Sequence, residues 1–178
     1  MKKIKILSLL FCVVMLVAAC HDDEEGPIIP QPREQVGRTV LVYIVGDNGV
    51  NELSDLFKTN FEDMKEGMKE VDYSKCNLVV YSEMVNDVPR LVSLKKQNGK
   101  VVADTLFTYS EQNPLAKEVM SSVISQTVSY FPADSYGFVF LSHSSSWVPA
   151  TNDANSRSIG YYRRTQMNIP DFHDVLLS

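Results

Sequence analysis

Asp134-Ser-Tyr-Gly-Phe-Val-Phe-Leu-Ser-His-Ser-Ser-Ser-Trp147 decides how the chain is read. A turn signal is followed by an apolar run from Tyr136 to Leu141, then by an abrupt change to polar residues led by His143. A run that is apolar on both faces and rich in aromatic and β-branched residues is the pattern of a strand in the middle of a parallel sheet. His143 then falls just past the carboxyl end of that strand. In open α/β sheets this is the edge at which ligands bind and reacting side chains are presented. A histidine at such a place is a candidate and no more, because imidazoles also serve structural and solvated roles.

Working outward, Arg38-Thr-Val-Leu-Val-Tyr-Ile-Val45 is a second apolar run, closed by the turn Gly46-Asp-Asn-Gly49. Residues Asn51 to Glu70 carry Leu53, Leu56, Phe57, Phe61, Met64 and Met68 at helical spacing, which predicts an amphipathic helix lying on the sheet. Cys76-Asn-Leu-Val-Val-Tyr-Ser-Glu83 is a third apolar run, so a βαβ crossover makes it the parallel neighbour of the first. A strand, a Gly turn and a helix invite a phosphate-loop reading. The turn lacks both the G-x-G-x-x-G spacing and the Walker lysine, however, and Asp47 would repel a phosphate.

Arg90 to Lys95 and Lys100 to Tyr109 flank Gln97-Asn-Gly99, which predicts an antiparallel hairpin at the sheet margin. Asn113-Pro114 is read as a helix start, with the helix running to Phe131. No periodicity is visible from Ser144 to Asn168, and Ile169 to Leu177 then begins another helix. The fold class that follows is α/β, a mainly parallel sheet with a marginal β-hairpin and helices on its faces.

The amino terminus supplies an address. Met1-Lys-Lys-Ile-Lys5 is a basic n-region, and Ile6 to Ala19 is an apolar stretch shorter than the roughly 20 residues of a spanning helix, so residues 1–19 read as a secretion signal. Its end, Leu16-Val-Ala-Ala-Cys20, resembles the lipobox of bacterial lipoproteins, which makes Cys20 the lipidation site. His21-Asp-Asp-Glu-Glu25 is an acidic run behind the proposed lipid, read as a surface-export signal, and Gly26-Pro-Ile-Ile-Pro-Gln-Pro32 continues as an extended spacer. Residues 20–37 are therefore a tether, residues 38–178 the folded part, and the expected location is the outer membrane, lipid-anchored and facing the cell surface.

Removing residues 1–19 deletes Lys2, Lys3 and Lys5 but no acid, so the net charge moves from −5 to −8, with 14 basic against 22 acidic residues. That argues against a nucleic-acid partner. Of the three cysteines, Cys12 leaves with the signal and Cys20 carries the lipid, so only Cys76 remains and no intrachain disulfide is expected. A central parallel strand needs a neighbour on each edge, and the last helix looks like the crossover to one. The chain is accordingly expected to be the N-terminal portion of a longer domain.

Three pieces occur in order: Thr39-Val-Leu-Val-Tyr-Ile-Val-Gly-Asp-Asn48, the helix from Asn51 to Glu70, and Tyr136-Gly-Phe-Val-Phe-Leu-Ser-His-Ser-Ser-Ser-Trp147. Together they resemble the clostripain family of cysteine peptidases, in which a first strand ends in Gly-Asp-Asn and a later one in a His-Gly-Ser-Gly-Trp type motif. The resemblance implies a caspase-like α/β/α sandwich over residues 38–178. It also implies peptide-bond cleavage by a Cys–His dyad without a cofactor, after Arg or Lys, on protein or peptide substrates. His143 matches the family's catalytic histidine. The family's two motif glycines are Ser144 and Ser146 here, and the Ser144 N–H is the candidate oxyanion donor.

The family nucleophile follows on the next strand, which this chain does not contain, so no nucleophile is assigned and the polypeptide alone is expected to be inactive. Cys76 opens its strand at the opposite edge from the carboxyl ends and is read as a small core residue. The alternative reading is a non-catalytic surface lipoprotein that binds protein or glycan on a peptidase-like scaffold. A metal site from His143, His173 and Asp153 or Asp171 has no established zinc spacing, so no metal is assigned. A serine hydrolase using Ser142, Ser144 or Ser145 lacks the nucleophile-elbow pattern. Arg163 and Arg164 are read as solvated loop charges. Oligomeric state is not legible.

Overall fold

The computed structural model describes residues 30–49, 51–144 and 158–178; Trp147, Asp153, Cys20 and the signal segment lie outside them. Strands β1 (Arg38–Val45) and β2 (Cys76–Glu83) are apolar on both faces and pair in parallel from Arg38↔Cys76 to Val45↔Glu83. Helix α1 (Asn51–Gly67) and a 3-10 turn over Met68–Glu70 connect them, as the heptad-like spacing of their apolar residues predicts. Strands β3 (Arg90–Gln97) and β4 (Lys100–Thr108) form the marginal hairpin. Its two-residue turn places Asn98 at φ 51° and Gly99 at φ 77°, the left-handed conformations that an Asn-Gly turn accommodates.

Helix α2 (Lys117–Tyr130) starts later than Asn113-Pro114 suggests. Asn113 instead closes a turn, its Oδ1 accepting from the Leu115 N–H at 3.0 Å and its carbonyl from the Ala116 N–H at 3.1 Å. The asparagine side chain satisfies the turn amides locally, so the helix proper begins only after Ala116. Strand β5 (Tyr136–Ser142) pairs in parallel with β1 from Thr39↔Tyr136 to Val45↔Ser142. The sheet order is β4-β3-β2-β1-β5, which puts β1 and β2 inside and β5 at an edge among the described residues rather than in the middle. Its outer positions are correspondingly open, Val139 being 42% exposed.

The stretch without visible periodicity holds a second hairpin, β6 (Ser158–Tyr162) and β7 (Thr165–Asn168). Its inward residues are Ser158, Gly160 and Tyr162, while Ile159 and Tyr161 are only half-buried, so the hydrophobic alternation is inverted and invisible. Gly160 lets the hairpin pack closely, since a Cβ there would lie 2.9 Å from both Leu115 Cδ2 and Phe140 Cζ and would push those side-chain ends aside. Helix α3 (Ile169–Leu177) follows at once, capped by Asn168, whose Oδ1 accepts from the Asp171 N–H at 2.8 Å.

Three layers result. On one face α1 buries Phe57 against Val42, Ile44, Val80, Met84 and Val92. On the other, α2 and α3 bring Met120, Val123, Phe131 and Val175 against Leu41, Tyr43, Val79 and Tyr81. Phe172 of α3 packs on Phe138 and Phe140 of β5 at ring separations of 5.8 and 5.4 Å. The tether's last residues are docked too: the Arg33 N–H bonds the Tyr130 carbonyl at 2.9 Å, and Val36 bridges in parallel to Ala133.

Candidate active site

The register aligns Glu83, Val45 and Ser142 in one row across the carboxyl edge of the parallel strands. Immediately beyond that row stand Met84, Gly46-Asp47 and His143. His143 is exposed, and its ring lies 5.2 Å from that of Tyr161 on β6 at an interplanar angle of 58°. Ser142 fixes that neighbour: its Oγ accepts from the Tyr161 N–H at 3.2 Å and donates to the Tyr161 carbonyl at 3.4 Å. The second hairpin therefore borders the histidine on one side, and Ser144, also exposed, follows it.

Next to His143, the exit of β1 is held rigidly. The Gly46 N–H donates to the Glu83 carbonyl at 2.7 Å, and Ser54 Oγ donates to the Gly46 carbonyl while accepting from the Val85 N–H, both at 3.0 Å. Asp47 is buried, and its carboxylate accepts from the Gly49 N–H at 3.1 Å and from Arg163 Nε at 2.7 Å. The Arg163 N–H also donates to the Asp47 carbonyl at 2.9 Å, and its guanidinium reaches Glu111 as well.

Arg163 is therefore more than a solvated loop charge: half-exposed at the turn, it is ion-paired with both carboxylates. It sits at the tip of the second hairpin at φ 51° and pins that hairpin to the end of β1, and the two carboxylates hold its pKa above the ordinary value. Because Tyr161 is two residues away on the same hairpin, the clamp also fixes what stands beside His143.

Beneath the clamp lies Glu83, 3% exposed at the end of β2. Burial pushes its carboxyl up to about 7, and the adjacent Asp47 carboxylate adds to this, against the opposing hydrogen bond from the Asp47 amide and the charge of Arg163. Behind it a tyrosine stack fills the sheet face: Tyr43 and Tyr81 lie 4.3 Å apart, and burial raises both, Tyr81 to about 12. These phenols stay protonated at neutral pH.

Cys76 is at the far edge, as the strand polarity requires, but it is half-buried rather than a core residue, its thiol facing the Asp72 carbonyl at 3.8 Å. His173 is exposed on α3 beside Asp174, and Asp171 is engaged by Lys117 at 3.1 Å. Among the described residues no three His, Cys, Asp or Glu side chains gather into a metal-binding group. An apolar cavity of about 240 Å³ between α2, α3 and the start of β5 lies at the opposite end of β5 from His143.

Residues 42–178 match the model of the clostripain family. The X-ray structure of a secreted C11 cysteine protease from Bacteroides thetaiotaomicron, bound to an irreversible peptide inhibitor, is 40% identical with a TM-score of 0.66, over 80% of this chain and 39% of that one. A B. fragilis cysteine protease is 41% identical with a TM-score of 0.59, over 67% of this chain and 98% of that one. An inactive zymogen C11 protease from Parabacteroides distasonis is 34% identical with a TM-score of 0.59, over 66% of this chain and 34% of that one. The chain thus spans less than half the length of the first and third of these proteins. Among curated proteins none matches.

Proposed function

The chain belongs to the clostripain family of cysteine peptidases, and from that membership we propose that His143 is the histidine of a Cys–His pair that cleaves peptide bonds. The observation that carries this reading is the exposed position of His143, directly beyond the carboxyl end of β5 and next to β1. The imidazole takes the proton of a thiol, and the thiolate attacks the scissile carbonyl. Backbone N–H groups, that of Ser144 among them, hold the oxyanion. The imidazolium then protonates the leaving amine, and water, with the same histidine as base, hydrolyses the thioester.

Cys76 is not that thiol. It lies seven strand positions before the row that precedes His143, which at ~3.3 Å per residue separates them by about 23 Å. With Cys12 and Cys20 read as signal and lipid attachment, the nucleophile comes from sequence that this chain does not carry. Cleavage after Arg or Lys is the specificity the family resemblance supports, and the lipobox and acidic run support a lipid-anchored, surface-facing protein.

Hydrolysis of an Arg or Lys ester by the full-length protein should disappear on thiol alkylation and fall about 10³-fold in His143→Ala. Unchanged turnover in that variant would remove the histidine from the mechanism, and binding without turnover would favour a non-catalytic scaffold. For the anchor, Cys20→Ser should move the protein from the membrane to the soluble fraction, and continued partitioning with membranes would refute lipidation there.

A further inference from the structure

The second hairpin turns one large ring away from the core. Tyr162 is buried in the cluster beneath α2 and α3, and Ile159 packs against that cluster, whereas Tyr161 belongs to neither core cluster. Its ring lies instead against His143, with the centroids 5.2 Å apart and the planes at 58°. Among the described residues no hydrogen bond or ion pair holds the exposed imidazole, and the tyrosine ring is its aromatic neighbour. Three anchors fix where that ring stands. Ser142 Oγ, one residue before His143, engages both backbone groups of Tyr161, at 3.2 and 3.4 Å. The N–H and side chain of Arg163 bind Asp47 at the exit of β1. Gly160 brings the strand down onto Phe140 of β5. Ser142 and Phe140 are on the strand that ends at His143, so ring and imidazole share one frame.

We propose that Tyr161 is a positioning residue for His143, its ring confining the imidazole to the orientation from which it exchanges a proton with the thiol. An exposed imidazole turns about two side-chain bonds, and proton transfer requires one of the resulting orientations. An aromatic neighbour at this separation favours a tilted arrangement over the alternatives, so the choice is made before the reaction begins. Tyr161 exchanges no proton in this role, and its ring suffices without its hydroxyl. The effect on turnover rests on the peptidase reading of His143, whereas the restraint on the imidazole does not.

Two other roles would leave different marks. A ring kept for packing would sit with Tyr162 in the buried cluster, and Tyr161 does not. A ring kept for substrate binding would raise KM on its removal and spare kcat, whereas loss of a positioning ring lowers kcat at nearly constant KM.

The test compares Tyr161→Ala and Tyr161→Phe in the full-length protein on an Arg or Lys ester, with His143→Ala as the reference. Tyr161→Ala should lower kcat about tenfold with KM within about twofold of wild type, and Tyr161→Phe should stay within about twofold in both. With isotope-labelled histidine in the same proteins, the NMR resonances of the His143 ring should be displaced by the neighbouring ring in wild type and Tyr161→Phe. In Tyr161→Ala they should relax towards those of free histidine. Because Tyr161 lies outside both core clusters, the alanine variant keeps the fold, which unchanged amide shifts along β1 and β2 check. Unaltered kcat in Tyr161→Ala, an equal loss in Tyr161→Phe, a rise in KM alone, or imidazole resonances indifferent to the ring would each overturn the proposal. Full turnover in His143→Ala would instead remove the peptidase reading, and the resonances would still decide whether the ring restrains the imidazole.

Discussion

Tyr43→Ala is expected to lower the stability of the folded chain by about 3–5 kcal/mol, the range for removing a fully buried aromatic side chain. Tyr43 has no exposed surface and sits on β1, inside the sheet. Its ring stacks on Tyr81 at 4.3 Å and contacts Phe138 and Phe140 of β5 at 6.0 and 6.2 Å, so one side chain ties β1 to both of its neighbours. Its hydroxyl donates to the Pro114 carbonyl at 2.8 Å, linking the sheet to the turn that precedes α2. Tyr43→Phe keeps the ring and removes that bond, which should cost about 1–2 kcal/mol.

Against a typical total of ~5–15 kcal/mol, the alanine variant should unfold at a much lower urea concentration than wild type. The consequence reaches the site, because Val45, two residues on, is the register partner of Ser142 beside His143. An alanine variant within about 1 kcal/mol of wild type would mean that the cavity collapses freely and that the tyrosine stack does not set the strand register.

Much of this framework was legible beforehand because the central strands advertise themselves. Arg38–Val45 and Cys76–Glu83 are buried on both faces, so their apolar runs have sharp ends, and the observed bounds coincide with the expected ones. Asn98-Gly99 announced the first hairpin through its turn chemistry. The second hairpin carried neither signal. Its turn uses Arg163 in the left-handed region, where glycine or asparagine is usual, and its inward positions include a serine and a glycine.

What stabilises the arginine turn is tertiary, the two hydrogen bonds that its backbone N–H and its side chain donate to Asp47, over a hundred residues away in sequence. The same distance hid the acidic cluster. Asp47 read as part of a turn and Glu83 as the polar end of a strand, and only the parallel pairing of Val45 with Glu83 brings the two strand exits together. The position of His143 just past β5 follows from strand polarity alone, while its contact with Tyr161 depends on the unforeseen hairpin.

Glu83→Gln is expected to stabilise the protein at pH 8 by about 2 kcal/mol while leaving it unchanged near pH 4. The folded carboxyl titrates near 7 against an ordinary value of 4.5, because burial and the Asp47 carboxylate disfavour its charge. Between those values the folded chain holds a proton that the unfolded chain has released. Stability therefore falls as pH rises from about 4.5 to about 7, and it is constant in this respect below and above that window. The full displacement corresponds to about 3.5 kcal/mol at 1.4 kcal/mol per pH unit, and relaxation of the surroundings around the charge reduces it.

Glutamine keeps an oxygen for the Asp47 amide and has no charge to desolvate, so it escapes the loss. Urea midpoints of wild type and variant, measured from pH 4 to pH 8, isolate the effect, since other titrating groups cancel in the difference. A gap between the two proteins that does not widen across this range would show that Glu83 ionises without penalty. If the gap does widen, the chain retains an acid that weakens its fold at neutral pH, the mark of a residue kept for something other than stability.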